Sequence, residues 1–348
     1  MLGIERFGVP NEQGSSHGIT RIIRLAYYED PSYVPLLRRA YELWRELETL
    51  VGEQLLHITG SVDAGPPDSF VFEGSVRSCI EHGLEHEVID GREVNRRFPG
   101  YRLPADSMAV LQPEGGFLLP ERCIVAHVDA ARAAGAEVRE NDRVLGWEPT
   151  SGGVRVTTDL GTYEAERLVL AAGAWEGELT GLPVVAERQV LAWLEPLSPE
   201  LFTPERFPVF NLMVEEGRYY GFPVFGIPGF KFGRYHHLGE RGDPEELDRV
   251  PSERDEQVLR AFAERYFPDG AGPTSSLKTC LFENTPDEHF LLGLHPEHEN
   301  VIIAGGGSGH AFKFASVIGE IVGQLARAES PELDISLLSP RRFAGGSD

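Results

Sequence analysis

Apolar residues recur every third or fourth position from Tyr33 to Val51, with Leu36, Leu37, Ala40, Leu43 and Leu47 on one face. That spacing predicts an amphipathic helix. In front of it, Leu2, Gly3 and Ile4 read as the end of a short buried strand that runs straight into Glu5, followed by the polar loop "RFGVPNEQGSSHG". Behind it, "HITGSVDAG" and "SFVFEGSVRSCIEHGL" read as strand, turn and helix, and "EVNRRFPG" as a short helix stopped at Pro99 and Gly100. "SMAVLQPEGGFLLP" is extended around a glycine turn, and "ERCIVAHVDAARAAGAEVREN" is helix, glycine break and strand. A hairpin then feeds a buried strand, Leu168 to Ala172, that ends at Gly173.

From Ala186 the period changes. "RQVLAWLEPL", "FPVFNLMVEEGRYYGFPV" and "GFKFGRYHHLGE" alternate apolar and polar residues, as antiparallel strands with one covered face do. "SERDEQVLRAFAERYFPDG" is a helix, and "NVIIAGGGSGHAFKFASVIGEIVGQLARAE" is strand, glycine-rich loop and long helix. Both ends are α/β and the middle is β-rich. The predicted class is α/β, with two interleaved domains rather than two beads on a string.

Composition narrows the function. The 348 residues suit one large or two ordinary domains, and the formal charge of −23 argues against nucleic acid and anionic membrane as partners. Cys79, Cys123 and Cys280 are too few and too scattered for a disulfide framework or a CxxC metal pair, so a reducing, cytoplasmic compartment and no metal are expected. No signal-peptide pattern or membrane-length apolar run is visible. Of the 32 basic residues only Lys231, Lys278 and Lys313 are lysines. A lysine that survives such an arginine bias marks a position where a compact point charge with a tunable pKa is wanted, or survives by chance.

Two stretches carry candidate chemistry. In "VIIAGGGSGHAFKF", Gly305, Gly306, Gly307 and Gly309 allow close backbone approach between a strand and a helix N-terminus, either to a ligand or as a tight packing turn. In "LKTCLFENTPDEHF", Cys280 alone reads as a small buried hydrophobe.

Taken in order, "GSSHGITRIIRLAY", "ELW", "YYGFPVFG", "GFKFG", "TC" before "TPDEHF", "LHPEHENVIIAGGGSGHAFKFAS" and "DIS" resemble the monomeric sarcosine oxidase family of flavin amine oxidases. That family includes N-methyl-tryptophan oxidase and pipecolate oxidase. The resemblance runs from about Leu2 to Ser336. It implies an FAD-binding Rossmann-like domain (1–57, 114–185, 287–348) interleaved with an antiparallel β-rich substrate domain (58–113, 186–286). It further implies FAD bonded covalently to Cys280, with Lys231 activating oxygen and Arg21 and His17 close to the flavin ring. Arg24 and Lys313 are implied to grip a substrate carboxylate, and Tyr220, Phe222 and Met213 to line the pocket. His236 matches an active-site histidine, with His237 as the substitute because Arg234 intervenes. Glu5, Gly173, Trp175, Gly305, Gly306, Gly307, Gly309 and His310 fall on cofactor-binding positions. Lys278 is read as surface.

The implied reaction is oxidation of a small N-methyl amino acid such as sarcosine to the demethylated amino acid, aldehyde and hydrogen peroxide, by a monomer whose partners are the amino acid and oxygen. N-methyl-tryptophan or a cyclic amino acid such as pipecolate is the nearer alternative. A non-catalytic remnant without FAD, and a dehydrogenase serving a partner protein, are the others. Phe282 stands where the family has tyrosine, which removes a hydroxyl from the pocket. No GxGxxG segment precedes Glu5. The expectation is a missing first strand flanked by Val301–Ala304, poor FAD binding or instability, and a start misplaced at a GTG codon. A GxGxxG segment within about forty codons upstream in frame is the check.

Overall fold

The computed structural model describes residues 1–343. The helix Tyr33–Val51 forms with the expected bounds and ends where Gly52 takes φ 70°, a left-handed cap that costs glycine little. Its apolar stripe, Val34, Leu37, Ala40, Trp44 and Leu47, packs against Phe314, Val317 and Ile321 at the start of the C-terminal helix Ala315–Ala326. This is the main α/β core.

Beside it lie two short parallel pairings. Leu2–Ile4 pairs with Glu137–Arg139, and Leu168–Leu170 pairs with Val301–Gly305. Val301–Gly305 also pairs, antiparallel, with Leu291–Leu294. Here the expected arrangement is corrected. Both edges of Val301–Gly305 are used, so it is an inner strand and cannot face Leu2–Ile4. Leu168–Leu170 takes the outer edge instead, and Ala171 and Ala172 just beyond it share a cavity of about 400 Å³ with Ile4 and Glu5.

The second unit is a nine-stranded sheet. Its pairings are antiparallel except one: Val209–Val214 runs parallel to Ser61–Gly65. Strand alternation sorts the residues onto two faces. Phe210, Leu212, Tyr219, Phe230 and Phe232 point into an aromatic core closed by Phe262 and Phe267. The intervening Asn211, Met213, Tyr220 and Lys231 are left for the other face. The helix Glu253–Tyr266 covers the aromatic core, and Ser252 and Asp255 form its capping box.

Candidate active site

Alternation delivers Lys231 to the face away from the phenylalanines, and two backbone carbonyls then fix it. Its Nζ donates to Gly18 O at 2.7 Å and Thr20 O at 2.6 Å, and lies 4.4 Å from the Phe222 ring. Burial, then Arg21, push its pKa well below the ordinary lysine value. Gly18 has φ 95°, and a Cβ there would come within 3.0 Å of Leu191 and 3.6 Å of Lys231 Nζ, so a side chain would disturb the lysine's seat.

Around Lys231 the structure assembles His17, Arg21 and Cys280. Arg21 donates to Ser15 O at 2.7 Å and approaches Cys280 Sγ at 3.6 Å. Burial raises the Cys280 thiol pKa, and Arg21 opposes the rise. His17 is buried with neither ring nitrogen bonded. Burial, then Arg21 and Lys231, pull it to about 3, so it is neutral near pH 7. Arg21, Tyr220, Phe222, Cys280, Phe282 and Lys313 line one cavity of about 80 Å³.

Lys313 sits on a 3₁₀ turn, Phe312–Phe314, ahead of the last helix. Its Nζ donates to His310 O at 2.7 Å, and burial followed by Arg24 brings its pKa down to about 7. His310 is held by Tyr27 Oη at 2.5 Å on Nδ1 and by Glu288 O at 2.8 Å on Nε2. Burial pulls it to about 4. As a neutral ring it donates from Nε2 to the carbonyl and accepts from the tyrosine on Nδ1. Both nitrogens are therefore spent on protein, and His310 positions the loop that carries Lys313.

Arg24 lies near enough to Lys313 to lower its pKa. It does not line the Lys313 cavity. Its guanidinium lies between the Tyr27 and Tyr28 rings at 4.5 and 4.0 Å. It donates to Ala26 O at 2.6 Å and Glu29 at 2.7 Å, with Asp63 at 3.7 Å from Nε. Burial lifts Asp63 to about 6. Burial is the largest influence on Glu29 and raises it, but Arg24, His310, Lys313 and Arg218 together override it and hold that carboxyl at about 2.

His236 and His237 both lie off the Lys313–Cys280 cavity. His236 has φ 53°. It contacts Glu187 at 3.0 Å and Glu288 at 3.2 Å, and these two carboxylates push it up to about 9. His237 is buried against Asp255 at 2.8 Å. Tyr235, which sequence reading passed over, lines the cavity instead. Met213 lies in a separate outer chamber with His236. Lys278 pairs with Glu12 at the surface.

Toward the other end, Glu5 accepts Phe7 N–H at 2.9 Å and shares the larger cavity with Gly173 and Trp175. The two cavities meet at Ser15, Ser16 and Glu283. In the loop of Gly305, Gly306, Gly307 and Gly309, a Cβ on Gly309 would fall 2.4 Å from the Phe282 ring. Packing onto the Cys280 strand therefore already requires the loop's small residues. Glu283, another residue the sequence reading missed, accepts Ser15 Oγ at 2.5 Å, and burial raises it to about 7. Its only sequence signal is an acid directly after "TCLF".

These residues suit FAD. Glu5, an acid able to accept from sugar hydroxyls, lines one of two cavities that share Ser15, Ser16 and Glu283, and the buried Cys280 thiol lines the other, with Lys231 packed against Phe222 of its wall.

Comparison with known proteins agrees with that fit. Residues 2–325 match the family described as FAD dependent oxidoreductase. The chain is 40% identical over 354 residues to monomeric sarcosine oxidase of Streptomyces avermitilis, covering 99% of this chain and 91% of that one. It is 33% identical over 348 residues to N-methyl-L-tryptophan oxidase of Yersinia pestis, covering 99% and 92%. Among solved structures, NikD, an unusual amino acid oxidase essential for nikkomycin biosynthesis, superposes with TM-score 0.84 at 27% identity, over 97% of this chain and 90% of that one. L-proline dehydrogenase from P. horikoshii shares the fold, with TM-score 0.85 at 21% identity over 99% and 91% of the two chains.

Proposed function

The chain belongs to the FAD dependent oxidoreductase family, with the sarcosine and N-methyl-tryptophan oxidases among its relatives, and from that premise we propose that it oxidises the N-alkyl carbon of a secondary amino acid at the expense of oxygen. FAD supplies the two-electron acceptor: a hydride equivalent and a proton leave the C–H and N–H of the amino acid, water splits the imine into amine and aldehyde, and oxygen takes two electrons and two protons as hydrogen peroxide. The chain's own residues do the rest.

The observation that carries this reading is the seat of Lys231. Two carbonyls accept from its Nζ and favour the ammonium against the burial that disfavours it, so that, once protonated, it is a preorganised cation in a dry site. Such a charge stabilises an anionic species forming beside it far more than it would in water. Cys280, with Arg21 at its sulfur, is the residue we assign to covalent attachment of FAD. Arg21 favours the thiolate that the bond requires. Lys313 binds the substrate carboxylate, and Tyr220 and Phe222 exclude water around the reacting carbon. Arg24, neutralised by Glu29 and Asp63, contributes to the carboxylate site only if it changes partners.

The test is a panel of sarcosine, N-methyl-tryptophan and pipecolate offered to the flavin-loaded protein without oxygen. Bleaching of the flavin absorbance, followed on readmission of air by recovery and peroxide, is expected. A loaded protein that none of these compounds bleaches contradicts the proposal. Acid precipitation, in which covalent flavin stays with the pellet in the wild type but not in Cys280→Ser, checks the attachment separately.

A further inference from the structure

The outer chamber contains a cation that the proposed reaction does not use. Arg218 lies on the strand Gly217–Val224 with its side chain 11% exposed. Its guanidinium stacks 3.7 Å from the Tyr235 ring centre and faces Phe70 at 5.4 Å. Its side chain donates no hydrogen bond among the described residues, although a guanidinium has five N–H donors. The nearest carboxylate, on Glu288, stays at 3.8 Å. Burying such a group without acceptors is costly, and the donors border the chamber of about 400 Å³ that Arg218 lines with Phe70, Met213, Tyr235 and His236.

Tyr235 lines both this chamber and the Lys313–Cys280 cavity. A substrate whose carboxylate meets Lys313 therefore lies against the same tyrosine ring that Arg218 stacks on from the chamber. The charges facing the chamber sort by partner. Glu29 is neutralised by Arg24 at 2.7 Å and Asp287 by Arg342 at 2.7 Å. His236, charged through its contacts with Glu187 and Glu288, stands beside Arg218. Glu288 is the remaining acid, and its side chain is 50% exposed at the rim. It can turn to water when another anion arrives.

We propose that Arg218 is a specificity residue that takes a second anionic group on the substrate side chain, so that the preferred substrate is an N-methyl dicarboxylic amino acid rather than sarcosine. Arg218 is suited to this because its planar fork pairs with a carboxylate bidentately. Tyr235 and Phe70 supply apolar walls for the methylene stem. The inference rests on the oxidation of N-methyl amino acids proposed above.

The experiment compares kcat/KM for N-methyl-L-aspartate and N-methyl-L-glutamate with that for sarcosine, in the flavin-loaded wild type, Arg218→Met and Arg218→Lys. The wild type should favour a dicarboxylic substrate. The ratio of dicarboxylic to sarcosine kcat/KM should fall about tenfold or more in Arg218→Met and recover in part in Arg218→Lys. In case Arg218→Met does not fold, inhibition of the wild type by succinate or glutarate against acetate or butyrate gives a second readout. The dicarboxylates should bind about tenfold tighter or better. A wild-type preference for sarcosine, an equal loss on all substrates, or no advantage for the dicarboxylate inhibitors overturns the assignment. Failure to oxidise any N-methyl amino acid, sarcosine included, overturns the underlying reaction instead.

Discussion

At the residue scale, the two lysines of the candidate site are shifted in the same direction by the same cause. Both are buried, and burial disfavours the ammonium. Lys313 comes down to about 7, so its charged form is present below that pH and lost above it. If Lys313 binds the substrate carboxylate, kcat/KM should fall as pH rises through about 7. Lys313→Met should raise KM about tenfold or more, the loss expected for one charge-assisted hydrogen bond, and should abolish that limb of the pH profile. Steady-state kinetics across pH 5–9 check both outcomes. Lys231, Lys313, Arg21, His17 and Cys280 were readable because each falls in a stretch that resembles the family, His17 and Arg21 sharing "GSSHGITRIIRLAY". Arg24's engagement was not visible. Its partner Asp63 comes from a distant strand, and nothing near Arg24 in the chain announces a second carboxylate.

At the element scale, one ion pair ties a helix to the large sheet. Asp255 caps the helix Glu253–Tyr266 through Ser252, pairs with Arg188 of Val185–Leu194 at 2.8 Å, and receives His237 at 2.8 Å. Burial opposes its ionisation, but Arg188 and Ser252 hold its pKa well below the usual carboxylate range. A depressed folded pKa means this stabilisation is complete above the unfolded value of about 3.9. It is lost as pH falls through the folded one. Asp255→Ala leaves the buried Arg188 guanidinium with only the half-exposed Glu240 carboxylate at 3.2 Å and should cost about 3 kcal/mol. Urea denaturation at pH 7 measures it, and the gap to wild type should narrow at acid pH. Elements of this kind were legible where local period decides them. The helices Tyr33–Val51 and Glu253–Tyr266 follow from apolar spacing, and the Phe230–Arg234 strand from alternation. Strand order was not legible, because the flanking of Val301–Gly305 by Leu168–Leu170 and Leu291–Leu294 depends on long-range pairing that no local pattern encodes.

At the scale of the whole molecule, two cavities, one lined by Glu5 and the other by Cys280, share Ser15, Ser16 and Glu283 at the seam between the α/β core and the nine-stranded sheet. The outer chamber adds a third compartment assembled from several distant segments, which is why Arg218 escaped the sequence reading. No helix among the described residues is long and apolar enough to cross a membrane. The strand arrangement also predicts a gradient of protection. Val301–Gly305, paired on both sides, should exchange its amide hydrogens more slowly than Leu2–Ile4, which pairs on one side only. Hydrogen exchange read by mass spectrometry tests this, and equal rates in the two strands would contradict the pairing.

In the proposed reaction Lys231, packed against Phe222 in the wall of the Cys280 cavity, helps pass the electrons of an N-alkyl amino acid to oxygen. The most direct measurement separates the two half-reactions by stopped flow, reducing the flavin anaerobically with substrate and then mixing with oxygen, in wild type and Lys231→Met. The substitution should slow reoxidation far more than reduction, by about a hundredfold or more, the scale of losing one preorganised charge contact. Equal effects on both half-reactions, or unchanged reoxidation, would contradict it.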